Sequence, residues 1–163
     1  MSVKSDYSSE EWQILLQAPG AAGIYIMMAD PNFVIGSMKE AFALSAGILH
    51  KEKETDNSPL LSALLSEFED REMVKKAQLQ FEKKDLATVK KTAFNTLQQA
   101  VNILQEKATP EETGEMTSWL YQMCVKVANA AKEGGFLGFG GTKVSDKEKA
   151  ALSEVAQLLG VTP

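Results

Sequence analysis

The chain has 163 residues, 44% of them apolar and 24% charged, enough to bury a core and ordinary for a globular protein. The net charge of −5 and a sequence pI near 5.0 speak against non-specific nucleic-acid binding and against an anionic membrane surface as partner. With a single cysteine, Cys124, there is no intrachain disulfide framework.

The start, Met1-Ser2-Val3-Lys4-Ser5-Asp6, has no apolar signal-peptide core, and residues 1–7 read as a flexible N-terminus. The expectation is a cytoplasmic protein with no transmembrane segment, since the longest apolar run, Ala18 to Ala29, is too short to span a bilayer. Ser8 and Glu11 form a capping box in front of Trp12-Gln13-Ile14-Leu15-Leu16, which opens a first helix. Pro19-Gly20 is expected to end or bend it. Ala21 to Ala29 is apolar on every side and predicts a second, buried helix, with a strand as the competing reading.

Asp30-Pro31-Asn32 reads as a turn, Phe33 to Leu49 as a helix, and residues 50–57 as a charged loop. Ser58-Pro59 is an N-cap followed by proline at the first helical position. Leu61, Leu64, Leu65 and Phe68 then share a face. The phase slips across Glu69-Asp70-Arg71-Glu72 and resumes at Val74, Ala77 and Phe81, so this stretch is one kinked helix or two short ones. Leu86, Val89, Ala93, Leu97, Ala100, Val101 and Leu104 mark an amphipathic helix. Thr109-Pro110-Glu111-Glu112 opens another, carrying Met116, Trp119, Leu120, Met123 and Val127. Ser145 and Glu148 cap the last helix, with Leu152, Val155, Leu158 and Leu159 inward and Gly160 as its stop. No segment alternates with period two. The predicted fold is all-α, about seven helices around one core, as a single domain over 1–163.

The segment Gly134-Gly135-Phe136-Leu137-Gly138-Phe139-Gly140-Gly141 stands apart from these helices. It holds five of the chain's eleven glycines, a density that no helix interior accepts because each glycine gives up backbone entropy. Two roles remain open for Phe136, Leu137 and Phe139: folding back into the core, or docking a partner or a membrane from an exposed apolar loop. A phosphate-binding reading is weak, because no strand precedes the loop and Gly141-Thr142-Lys143 lacks the P-loop ending.

Two helix starts are alike. Ser37-Met38-Lys39-Glu40-Ala41-Phe42-Ala43-Leu44-Ser45 and Ser145-Asp146-Lys147-Glu148-Lys149-Ala150-Ala151-Leu152-Ser153 share six of nine residues. Each follows an apolar helix that ends in an acid, Asp30 or Glu133, which suggests an internal helix–loop–helix duplication; a shared capping chemistry is the simpler alternative. The ending Ala130-Ala131-Lys132-Glu133-Gly134-Gly135 … Val144-Ser145-x-x-Glu148-x-x-x-Leu152-x-x-x-Ala156-x-x-Leu159-Gly160 resembles the TerB-like (tellurite-resistance) helical family over about thirty-five residues, with a weaker echo at Ala29 to Leu49. The chain with its glycine–phenylalanine loop also resembles bacterial helical proteins that bear the same loop and carry no established reaction. The TerB-like resemblance implies metal binding through acidic loop residues. Here Pro31 and Gly134-Gly135-Phe136 replace the acid-rich loop, which leaves Asp30 and Glu133 as the metal-ligand candidates.

Other chemistry is sparse. His50 is the one histidine, which excludes a di-iron Glu-x-x-His bundle and the usual zinc sites. Cys124 lies in an apolar run and reads as a buried thiol. The acids Glu67, Glu69, Asp70 and Glu72, the acids Glu111, Glu112 and Glu115, and the lysines Lys75, Lys76, Lys83, Lys84, Lys90 and Lys91 all read as solvated faces. No catalytic residue and no cofactor is expected. The functional expectation is a non-enzymatic module that binds a protein partner, forms a homo-oligomer or serves as a structural element. The alternatives are a TerB-like metal or small-molecule binder and an enzyme built on carboxylates.

Overall fold

The computed structural model describes residues 1–29, 57–83, 85–133 and 144–163, with the backbone alone at 130–133. It is all-helical, with no strand among the described residues. A short 3-10 turn at Lys4–Asp6 leads into α1 (Ser9–Met27), followed by α2 (Pro59–Glu67), α3 (Arg71–Lys76), α4 (Leu86–Lys107), α5 (Pro110–Glu133) and α6 (Asp146–Leu159). The expected helix at Phe33 to Leu49, and with it the first half of the suggested duplication, lies outside the described residues.

Local chemistry accounts for most helix starts. Ser8 Oγ accepts from the Glu11 N–H while Glu11 accepts from the Ser8 N–H, and Ser145 and Glu148 repeat the exchange at α6. Ser58 caps α2 with Pro59 at its first turn, and Asp85 caps α4 by accepting from the Thr88 N–H. Between Glu67 and Arg71 the chain does break. Asp70 accepts from the Glu72 N–H and starts a separate helix, so the phase slip marks two short helices. At the far end Gly160 takes φ +67, the left-handed region where glycine is favoured. The Val161 N–H then reaches the Ala156 carbonyl and the Gly160 N–H the Gln157 carbonyl, the paired bonds of a Schellman stop.

Of the two outcomes expected at Pro19-Gly20, a helix end is not what the structure has. Pro19-Gly20 neither ends nor divides the first helix, and α1 continues through both to Met27. Proline has no N–H to give the Leu15 carbonyl, which disfavours a helix interior. Burial on both sides of Pro19 outweighs that cost. Leu15, Leu16, Ala21, Ala22, Ile24 and Ile26 are each at most 2% exposed, and each large side chain among them contributes about 1.5–3 kcal/mol. The two predicted helices are therefore one.

That helix is the hub. It packs most extensively on α4 and α5 and also touches α6 and α3. Ala18, Ala21, Ala22 and Gly23 keep its middle slim, so that neighbours approach on several sides. Around it the core gathers Val89, Ala93, Leu97 and Leu104 of α4, Met116, Leu120 and Val127 of α5, and Val155 of α6, while Leu60, Leu61, Leu64 and Leu65 belong to α2, which packs on α5. All belong to a single core cluster.

Residues 1–7, expected to be flexible, are tied to the bundle through the buried Ser2 and Tyr7, with the other five exposed. The Ser2 N–H donates to both carboxylate oxygens of Glu112 at 2.9 and 3.1 Å, and Ser2 Oγ donates to Glu112 Oε2 at 3.1 Å. Lys4 pairs with Glu67 of α2. Lys107 at the end of α4 donates to the Asp6 carbonyl at 3.1 Å and to Glu11 at 2.7 Å. The arm also seats Tyr7 against Trp12, ring centroids 5.7 Å apart. The bonds to Glu112, Glu67 and Lys107 are long-range, which is why the polar start of the chain gives no sign of them.

Candidate binding groove

The expected site residues fall mostly beyond view. Asp30, His50, Phe136, Leu137 and Phe139 lie outside the described residues, and Glu133 is described only as the last backbone position of α5. Cys124 is where the sequence places it, fully buried, its Sγ 3.8 Å from the Ala22 carbonyl, and burial pushes the thiol up to about 12. Among the described residues no group of three or more His, Cys, Asp or Glu side chains converges as a metal site.

The acids of α5 depart from a solvated face. Glu111 is exposed, but Glu112 is 3% exposed and Glu115 is half-buried. Glu112 accepts from Ser2 and from the Thr109 N–H at 3.0 Å, and Glu115 Oε1 accepts from the Ser58 N–H at 2.8 Å. Burial alone would raise the Glu112 carboxyl. The donated bonds from Thr109 and Ser2 outweigh it and hold the group below the ordinary carboxylate range. These two carboxylates are thus acceptors for the starts of two chain segments, and their cleft is a structural clasp.

A second concave feature among the described residues is a groove of about 350 Å³ where α1, α4 and α6 meet. Helical spacing on α4 builds one wall. Ala87, Lys90, Lys91, Phe94 and Asn95 recur at intervals of three and four, beside the buried stripe Val89, Ala93 and Leu97. Ala87 and Asn95 are short, which opens the groove between the longer side chains. Tyr25, in the last turns of α1, and Glu154, in α6, complete it.

Tyr25 is its centre. Its ring is buried and lies 5.5 Å from the Phe94 ring at a 46° tilt, and the Lys90 ammonium sits 4.9 Å above the Tyr25 centroid. Its hydroxyl donates to Glu154. Burial first, and then the Glu154 carboxylate, push the phenol far above its ordinary value, so the hydroxyl stays a donor at any physiological pH. Phe94 and Lys90 are half-buried, while Lys91, Asn95 and Glu154 are exposed. Among the described residues neither Lys90 nor Lys91 is paired with a carboxylate.

In sequence, Lys90 and Lys91 belong to the lysines that read as a solvated face, and Tyr25 lies inside the all-round apolar stretch Ala21 to Ala29. One signal was present. Tyr25 carries the only hydroxyl in the apolar stretch from Ala18 to Met28, and a buried phenol needs a partner. Nothing local, however, points to Glu154 as that partner.

Comparison with protein-family models, with curated proteins and with solved structures found no match to this chain. No helix among the described residues is long and apolar enough to cross a membrane.

Proposed function

We propose that this chain is a non-enzymatic helical module that docks a protein partner in the groove between α1, α4 and α6. The observation that carries the reading is the groove's make-up. An aromatic pair, Tyr25 and Phe94, forms the floor, and Lys90, Lys91, Asn95 and Glu154 form a polar rim. Protein interfaces concentrate their binding energy in this way, on aromatic anchors ringed by polar groups. The groove is open along the helices, whereas small-molecule sites enclose most of their ligand.

The state of two buried groups among the described residues supports a binding role over catalysis. The Tyr25 phenol is tied to Glu154 and the Cys124 thiol is buried, and both are held in their protonated forms. Neither is poised as a nucleophile or a base.

Random-peptide display against the chain tests the reading, with Phe94→Ala and Lys90→Glu variants as counter-targets and circular dichroism as the check that they remain folded. Selected peptides should bind the parent and lose about tenfold or more in affinity on either variant, the loss expected of an interface anchor. Peptides that bind parent and variants alike, or no enrichment at all, would overturn it.

A further inference from the structure

Resting on that docking reading, we infer that the groove takes an acidic protein segment: one large apolar side chain flanked by carboxylates. The charges on the rim are the reason. Lys90 and Lys91 are adjacent cations without a carboxylate partner among the described residues. Among the described residues Glu154 is the one acid lining the groove, and its carboxylate already accepts from the Tyr25 hydroxyl. The rim therefore carries a local positive excess in a chain whose net charge is −5. An incoming carboxylate finds two ammonium groups, whereas an incoming cation finds a carboxylate already engaged.

Lys90 is moreover held in place before any partner arrives. Its ammonium rests 4.9 Å above the Tyr25 ring, and that ring is fixed by its own hydrogen bond to Glu154. A lysine so placed gives up less side-chain freedom on pairing than one free in solvent. Between the cations and Asn95, the half-buried Phe94 ring and the short Ala87 leave room for one bulky side chain, which meets Phe94 ring to edge or ring to methyl. Apolar anchor and flanking acid thus have separate seats within one turn of α4.

The probes are acetylated, amidated peptides of about ten residues, identical except at the centre: phenylalanine flanked by glutamates, by glutamines or by lysines, and alanine flanked by glutamates. Binding is read from the backbone amide shifts of Ala87, Lys91 and Asn95 in a nitrogen–proton correlation spectrum of the full chain. The glutamate–phenylalanine peptide should saturate these shifts at about tenfold or more lower concentration than the glutamine peptide. Raising the salt from about 50 to about 500 mM should remove most of that advantage. The Lys90→Glu/Lys91→Glu double variant should reverse the preference toward the lysine peptide. Equal or tighter binding of the glutamine or lysine peptide in the same groove would overturn the acidic partner and leave the docking reading standing. Shifts confined to other surfaces, or no shift with any of the peptides, would also overturn the acidic partner. Failure of the docking reading itself shows separately, as display-selected peptides indifferent to Phe94 and Lys90.

Discussion

Replacing Glu112 by alanine should cost the protein about 2–4 kcal/mol, a large part of the ~5–15 kcal/mol of a typical domain. The carboxylate accepts from the Ser2 N–H, the Ser2 hydroxyl and the Thr109 N–H, all within 3.1 Å, in a residue only 3% exposed. Bonds to a charged acceptor contribute about 1.5–3 kcal/mol each, so their simple sum is an upper bound near ~5–9 kcal/mol. The true loss is smaller because the arm can lift and water can then reach the freed donors. What remains is half of the α5 capping box and the seat of the arm over Tyr7. Urea unfolding of parent, Glu112→Ala and Glu112→Gln at about pH 7 measures this. Glutamine should fall between the other two, since it keeps one acceptor oxygen but turns an amide donor toward the other donors. The pH dependence has a definite sign. The folded pKa of Glu112 is lowered, so its contribution is complete above the unfolded value of about 4.3 and is lost as the pH falls through the lower folded value. The parent should lose stability between about pH 5 and pH 3 more steeply than Glu112→Gln. A cost under about 1 kcal/mol for Glu112→Ala, or equal acid slopes in parent and glutamine variant, would refute the clasp.

Three further outcomes follow from single features. Leu97 of α4 is fully buried at the contact with the central helix, and Leu97→Ala should lower stability by about 2–5 kcal/mol in urea titration. Gly160→Ala would place a Cβ where nothing lies within 4 Å, so its cost should come from the φ of +67 alone. That cost is about 1 kcal/mol, a melting temperature lower by about 2–4 °C, and an unchanged melt would refute it. Cys124, the one thiol, should resist Ellman's reagent in the native protein and react once unfolded in urea, and rapid native labelling would contradict its burial.

The sequence by itself determined the helical class and most helix ends, because those signals are local. A Ser/Thr-x-x-Glu box reaches three residues, as at Ser8, Thr109 and Ser145, and a glycine stop needs only its own backbone freedom, as at Gly160. The apolar spacing of α4 and α5 likewise named the side chains that face the core, except Leu86, which stands exposed in the first turn of α4. Tertiary structure decided the rest. Pro19 stays inside α1 because burial along the whole helix outweighs one missing hydrogen bond, a balance that no local rule contains. Glu112 looked like a solvated acid because its capping role is local, whereas its bond to Ser2 spans 110 positions. The groove is of the same kind. Tyr25 and Glu154 are 129 residues apart, and the bond exists only because α1 and α6 pack together. Within α4 the spacing of Lys90 and Phe94 was legible, but what they face was not. A side chain's neighbours along a helix follow from the helical repeat, while its neighbours across a helix interface follow from how the whole core closes.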